Sequence, residues 1–181
     1  MAIIRTPDGR LLTNPDEIAS FLAPHGLEYA RWGTERMPSG LGKLSLSDEE
    51  KKEVLDLYEK ELADLRARRS YVTQDIVSLA PDNPKLEQIL DVFRKEHYHT
   101  DDEVRFITAG RGVFFVRGKD GKVIECEVHA GDLLVVPENT MHWFDLCEDK
   151  QIVAIRVFKT PEGWVANYRD QAPVTKAASG A

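Results

Sequence analysis

Two imidazoles and a carboxylate stand within seven residues at His97-Tyr98-His99-Thr100-Asp101-Asp102-Glu103. A third imidazole, His142, closes a later run, Gly-Asp-Leu-Leu-Val-Val-Pro-Glu-Asn-Thr-Met-His. Three imidazoles and one carboxylate, with no thiolate among them, suit divalent iron, nickel, manganese, cobalt or zinc and argue against a structural zinc site. Four protein ligands on an octahedral ion leave two positions for water or substrate. His97, His99, Glu103 and His142 are therefore the candidate metal ligands.

Spacing sets what the backbone must do to assemble them. On an extended strand His97 and His99 point to one side, roughly 6–7 Å apart along the chain. Glu103 would lie about 20 Å from His97 on the same strand, so the chain must turn between them. Thr100-Asp101-Asp102 suits such a turn, because Asp side chains bond locally to backbone. Glu103 then heads the next strand, with Arg105 facing the same way. A lone His-x-His pair more often marks the polar face of a strand. The ordered combination points to a metal: His-x-His, Glu103, Gly110 seven residues on, then Gly131, Pro137 and His142. The other two of the five histidines fit no such pattern. His129 alternates with Glu125 and Glu127 on a solvated face, and His25 lies in a Pro-His-Gly turn.

The elements around these residues read as strands. Short apolar runs at Val104–Thr108, Gly112–Arg117, Lys122–Val128, Asp132–Val136 and Ile152–Phe158 are separated by glycine-rich turns. Such spacing indicates an antiparallel sandwich or small barrel. Upstream, the first third reads as a helical and irregular collar. Asn14-Pro15-Asp16-Glu17 starts one helix and Pro24-His25-Gly26 ends it. Ser47-Asp48-Glu49-Glu50 is a capping box that opens a longer helix, with Val54, Tyr58, Leu62 and Leu65 as its buried stripe. Arg66, Arg68 and Arg69 end it, where the helix dipole favours cations. A strand-like Tyr71–Leu79 and a short helix bearing Leu86, Ile89, Leu90 and Phe93 lead into the barrel. These spacings predict one domain over residues 1–170, with a collar to about 96 and a core over about 97–160, and a flexible tail at 171–181.

Composition bounds the partners. The 181 residues carry 42% hydrophobic and 30% charged residues with a net charge of −7, which is ordinary globular chemistry and a poor match to nucleic acid or an anionic membrane. The N-terminal residues lack a signal-like apolar core and no later run could span a bilayer, so the cytoplasm is the expected compartment. Cys126 and Cys147 have no disulfide-framework spacing and are expected to be reduced.

At the metal residues the chain resembles the cupins. The first cupin motif is matched from His97 through Glu103 to Gly110, with Asp91 where its leading glycine stands. The second is matched at Gly131, Pro137 and His142, with Asn139 and Leu146 in place of a glycine and an asparagine. Asn tolerates positive φ, so Asn139 need not disturb the turn. With the flanks included, His-Tyr-His-Thr-Asp-Asp-Glu-Val-Arg-Phe and Val-Pro-Glu-Asn-Thr-Met-His-Trp-Phe-Asp are similar to the acireductone dioxygenases of methionine salvage. Thr73–Leu79 and the Trp164 segment extend the likeness over roughly residues 1–170.

That resemblance implies a mainly β cupin double-stranded β-helix, a jelly-roll barrel with an N-terminal helical collar. It implies one Fe(II) or Ni(II) per chain, a small enediol substrate, O2 and a monomer. Arg105 would steady the enolate charge, with a structural ion pair as its other reading. Proton uptake falls to Asp101, Asp102 or a metal-bound hydroxide, and Asp101 is placed with Arg105 as catalytic. Arg105, Phe93, Phe144 and Trp164 would line the substrate site, the aromatics forming an apolar slot for a methylthio tail. Two rivals fit the same residues: another cupin dioxygenase or isomerase, and a non-catalytic ligand-binding cupin.

Overall fold

In a computed structural model, residues 1–160 and 164–169 are described; the expected flexible tail lies outside them. Their strands are β1 (Ile3–Arg5), β2 (Leu11–Leu12), β3 (Glu28–Arg31), β4 (Thr73–Leu79), β5 (Glu103–Arg117), β6 (Val123–His129), β7 (Asp132–Val136), β8 (His142–Leu146) and β9 (Ile152–Phe158). The α-helices are α1 (Pro15–Leu22), α2 (Asp48–Leu57), α3 (Glu59–Arg69) and α4 (Leu86–Phe93). The molecule is mainly β, a curled antiparallel sheet of the cupin type.

β5 organises it. Its first half pairs with β7 and β9, and its second half with β6 and β8, all antiparallel. One sheet therefore runs β2-β1-β6-β5-β8 and the other β3-β7-β5-β9-β4, with β5 common to both. The sequence reading had two strands, Val104–Thr108 and Gly112–Arg117, separated by a turn. The structure makes them one, because Ala109-Gly110-Arg111 bends without breaking. Register slips between Ile107 and Ala109, and Gly110 takes φ 71°, a bulge that redirects the strand into the second sheet.

Burial patterns follow from which faces are covered. β7 is buried at all five positions, since the barrel interior packs on one face and the collar on the other. β6 alternates, with Ile124, Cys126 and Val128 inward and its other face open. The interior core joins those residues to Phe114, Val116, Leu134, Val136 and Phe144. A second core sandwiches Val104, Phe106, Leu133, Val135 and Ile155 against Val54, Tyr58, Leu62 and Leu65, each such side chain contributing about 1.5–3 kcal/mol by leaving water. That is the stripe expected of the collar helix.

The collar departs from expectation in two ways. The capping box at Ser47 and Glu50 forms, but the helix breaks at Tyr58, which takes φ −104° and ψ 12°. Tyr58 donates its hydroxyl to the Gly33 carbonyl at 2.8 Å and packs its ring 4.5 Å from that of Phe106, and these contacts outweigh helical continuity. The collar also supplies unforeseen strands: β1 extends the edge at β6 and β3 caps β7, while β4, the strand expected over Tyr71–Leu79, lies along β9. β1 to β3 are two to four residues long, too short to show a period.

At the β6–β7 corner the buried Asp132 accepts from the Tyr29 hydroxyl at 2.9 Å, Arg31 Nη1 at 3.1 Å and the His129 amide at 2.9 Å. Asp132→Ala would strand the Tyr29 hydroxyl and the His129 amide and cost Arg31 one of its partners. Urea unfolding is expected to show a loss of about 2–4 kcal/mol, and a loss below about 0.5 kcal/mol would refute the corner's role.

Candidate metal centre

His97 and His99 lie on an extended segment before the Thr100–Asp102 bends, and Glu103 opens β5. His142 opens β8 and forms a two-way backbone bridge with His97, each amide donating to the other's carbonyl at 2.9 Å. The loop leading to β8 is tied down as well, the Asn139 amide donating to the His99 carbonyl at 2.8 Å. Asn139 has φ 60°, the conformation that makes a glycine or asparagine suitable there.

The four side chains meet. One donor atom from each of His97, His99, Glu103 and His142 lies within 4.8 Å of all the others, and all four residues are buried. Each imidazole spends Nδ1 on a backbone carbonyl: His97 on Lys95 at 2.6 Å, His99 on Val165 at 2.8 Å and His142 on Thr140 at 2.7 Å. A carbonyl can only accept, so Nδ1 carries the proton and Nε2 turns inward as a lone pair. Glu103 Oε2 sits 2.7 Å from His142 Nε2 and 3.2 Å from His99 Nε2. Acceptors facing one another at such distances need a cation or a proton between them. This donor set fits a divalent transition metal, as the spacing suggested.

Charge states follow from that crowding. Burial, aided by the nearby His142, pushes the His97 imidazole down to about 4. Burial alone would raise Glu103, but the Arg105 charge and its bonds to His142 and His99 hold it well below the usual carboxylate range. Burial would lower His142, yet the Glu103 hydrogen bond and charge lift it. In the metal-free protein, unfolded chains protonate His97 near 6.5 while the folded form stays neutral to about 4. The unfolded state thus binds more protons in that window, and His97's contribution to stability is present above pH 6.5 and lost as pH falls toward 4. His142 has the opposite sign. Nitrogen-detected NMR of the metal-free protein should find His97 neutral at pH 5.5; a charged His97 at that pH would contradict this environment.

Arg105 shares the inward face. Its Nε donates to Glu103 Oε1 at 3.0 Å, and its guanidinium lies 4.4 Å over the Trp164 ring. Trp164 also stacks on His99, with centroids 5.9 Å apart, and donates Nε1 to the Asp102 carbonyl at 2.9 Å. Of the two readings of Arg105, the ion pair with Glu103 is the one the geometry displays.

The two aspartates separate clearly. Asp102 accepts from the Tyr71 hydroxyl at 2.8 Å, the Glu138 amide at 3.0 Å and Arg69 at 3.4 Å. Burial opposes ionisation, but these partners hold its carboxyl below the usual value. Asp101 takes one bond, from the Lys159 amide at 2.8 Å. Its Oδ1 is buried without a hydrogen-bond partner among the described residues, and burial raises its carboxyl.

The aromatic residues expected to form a slot fall into two separate groups. Phe93 meets Phe144 edge-on at 6.3 Å, and Phe144 packs on Phe114 at 4.8 Å, on the inward face that Phe144 shares with His142. Trp164 stands on the His99 side against Phe158, at 4.6 Å. Sequence reasoning missed Val165, whose carbonyl orients His99, and Tyr168, whose ring lies 6.2 Å from His97. A backbone carbonyl carries no residue-type signal. Among the remaining histidines, His129 pairs with Glu127 at 2.9 Å, and His25 Nδ1 accepts from the Lys119 amide at 3.2 Å. Cys126 and Cys147 are free thiols.

Comparison with known proteins agrees with this geometry. The model of the ARD/ARD' family matches residues 33–166. A Bacillus subtilis acireductone dioxygenase is 46% identical over 171 residues, covering 93% of this chain and 96% of that protein. One from Bacillus cereus is 48% identical over 158 residues, covering 87% and 93%. The solved structure described as acireductone dioxygenase from Bacillus anthracis with cadmium ion in active center superposes with a TM-score of 0.89 at 45% identity, covering 93% of this chain and 98% of that one. No helix among the described residues is long and apolar enough to cross a membrane.

Proposed function

Since this chain belongs to the ARD/ARD' family and is thereby a dioxygenase, we propose that it cleaves acireductone, 1,2-dihydroxy-5-(methylthio)pent-1-en-3-one, with O2 in methionine salvage. The observation that carries the reading is the convergence of three inward Nε2 lone pairs and one carboxylate. His97, His99, Glu103 and His142 would hold one Fe(II) or Ni(II) per chain. When bound, such an ion supplies Lewis acidity and a template for a bidentate oxygen ligand.

The chain's own groups supply the rest. Arg105 offers its guanidinium to the enolate oxygens and lowers the cost of their negative charge. Asp101, whose Oδ1 has no hydrogen bond among the described residues and lies 3.8 Å from Lys159 Nζ, and whose carboxyl burial raises, takes up a substrate proton. Asp102, with its oxygens occupied, holds the bend ahead of Glu103. Trp164 covers the His99 side and excludes water there, while Phe93 and Phe144 give the methylthio tail an apolar wall.

With iron the products are 4-(methylthio)-2-oxobutanoate and formate. With nickel they are 3-(methylthio)propanoate, formate and carbon monoxide, and both outcomes balance substrate plus O2. We place the chain in the cytoplasm as a monomer, with residues 1–170 as its one domain and no nucleic-acid or membrane partner. The test is anaerobic removal of metal, reloading with Fe(II) or Ni(II), and product and headspace assays on acireductone with O2. Carbon monoxide from the nickel form alone supports the reading. Tight metal binding without substrate consumption would refute the substrate and favour another cupin oxygenase or isomerase; absence of metal binding would refute the centre itself.

A further inference from the structure

Arg156 is a second guanidinium at the same end of the barrel, and nothing above gives it a task. It is the register partner of Arg105 across β5 and β9, and like charges placed directly opposite destabilise a sheet. On its other side Arg156 opposes Asp75 of β4 and closes a two-point ion pair with it, at 2.7 and 2.5 Å. Arg105 keeps its own carboxylate, Glu103, at 3.0 Å. Charges therefore run Asp75, Arg156, Arg105 across the sheet and on to Glu103 two residues along β5, negative at both ends and positive in the middle.

Both guanidiniums lie over one ring: their central carbons are 4.4 and 5.8 Å from the Trp164 centroid for Arg105 and Arg156. Arg156 also sits 5.2 Å from the Phe158 ring. The row passes from the surface inward, with side-chain exposure falling from 47% at Asp75 and 22% at Arg156 to 14% at Arg105 and 6% at Glu103. A bidentate carboxylate and an aromatic face fix Arg156 more firmly than either would alone.

We propose that Arg156 is a positioning residue that acts through Arg105. Held by Asp75 and Trp164, it repels the Arg105 guanidinium from the strand side, keeping it against Glu103 and turned to an anionic ligand with two oxygens at the cluster. The pair of positive charges also favours a doubly deprotonated ligand over a neutral diol of the same shape. Without Arg156, Arg105 is free to lean back along the sheet. This inference rests on the enediol reading for its kinetic arm only.

The test compares Arg156→Gln, Arg156→Lys, Arg105→Lys and the Arg105→Lys/Arg156→Gln double variant in metal-loaded protein. One readout is oxalate affinity by calorimetry, oxalate serving as a bidentate dianion; the other is kcat and KM on acireductone. Arg156→Gln is expected to weaken oxalate and raise KM by about tenfold, with metal content unchanged. Arg156→Lys should recover part of the loss, and in the Arg105→Lys background the same change should cost less than about twofold, because coupled residues are not additive. Equal losses in both backgrounds, or a lowered melting temperature with oxalate affinity intact, would overturn the proposal. Oxalate coupling without acireductone turnover in the unsubstituted protein would uphold Arg156 and refute the substrate instead.

Discussion

Glu103→Gln is expected to cut affinity for divalent metal by on the order of 100-fold or more, since even changes in groups that orient ligands cost about 10–100-fold. Turnover should fall to about 1% or below, as expected when a group that acts within a unit is removed. The substitution separates charge from shape. Gln fills the same volume, its oxygen can still accept from Arg105 Nε, and its amide can donate to the inward Nε2 of His142, which stands 2.7 Å from the present carboxylate. The metal-free variant should therefore melt within a few degrees of the parent, because lone-pair crowding is relieved as the Arg105 ion pair weakens. Calorimetric metal affinity, a product assay on acireductone and thermal melting check the three parts. Metal affinity within about threefold of the parent would remove Glu103 from the centre.

Gly110→Ala should be the most damaging single-atom change in the barrel. Gly110 has φ +71°, and a Cβ built there would stand 2.1 Å from the Gln151 carbonyl oxygen and 2.9 Å from the Ile152 Cα. Both are backbone atoms at the start of β9, so no rotamer change relieves the contact. Left-handed backbone alone costs a non-glycine residue about 1–2 kcal/mol; with the clash, the loss should reach about 3–5 kcal/mol. For a chain of this size that is roughly 6–20 °C in melting temperature. Gly121, with φ +79° and nothing within 4 Å, is the control: Gly121→Ala carries the dihedral cost without the clash. Equal losses at the two positions would refute the steric account.

The centre was legible because its chemistry is carried by rare residue types at fixed spacing. His97, His99, Glu103 and His142 could be named before any fold was known, and the structure brings their donor atoms together. The strands Asp132–Val136 and Ile152–Phe158 were equally plain, because sheets covered on both faces leave continuous apolar runs. Other features left weaker traces. β3 is an edge strand whose residues Glu28 to Arg31 show no clear period. Tyr58 fits the helical stripe of its neighbours, so only its long-range bond to Gly33 reveals the break. Arg156 looked like any charge in an apolar strand until its opposition to Arg105 and Asp75 was visible. Asp101 and Asp102 are identical in type and adjacent, and only their partners distinguish them.

A strand shared by two sheets also governs how the molecule can come apart. β5 gives backbone bonds to β7 and β9 over one half and to β6 and β8 over the other, so neither sheet can peel away while the other stays intact. Amides between Val104 and Val116 should therefore exchange with solvent only through whole-molecule unfolding, whereas α2 and α3, attached through one face, can open by themselves. Two of the four cluster residues, Glu103 and His142, open β5 and β8, so an ion held there is expected to leave on the slow clock of global opening. Retention of the metal thus becomes a kinetic property of the barrel as well as a matter of affinity.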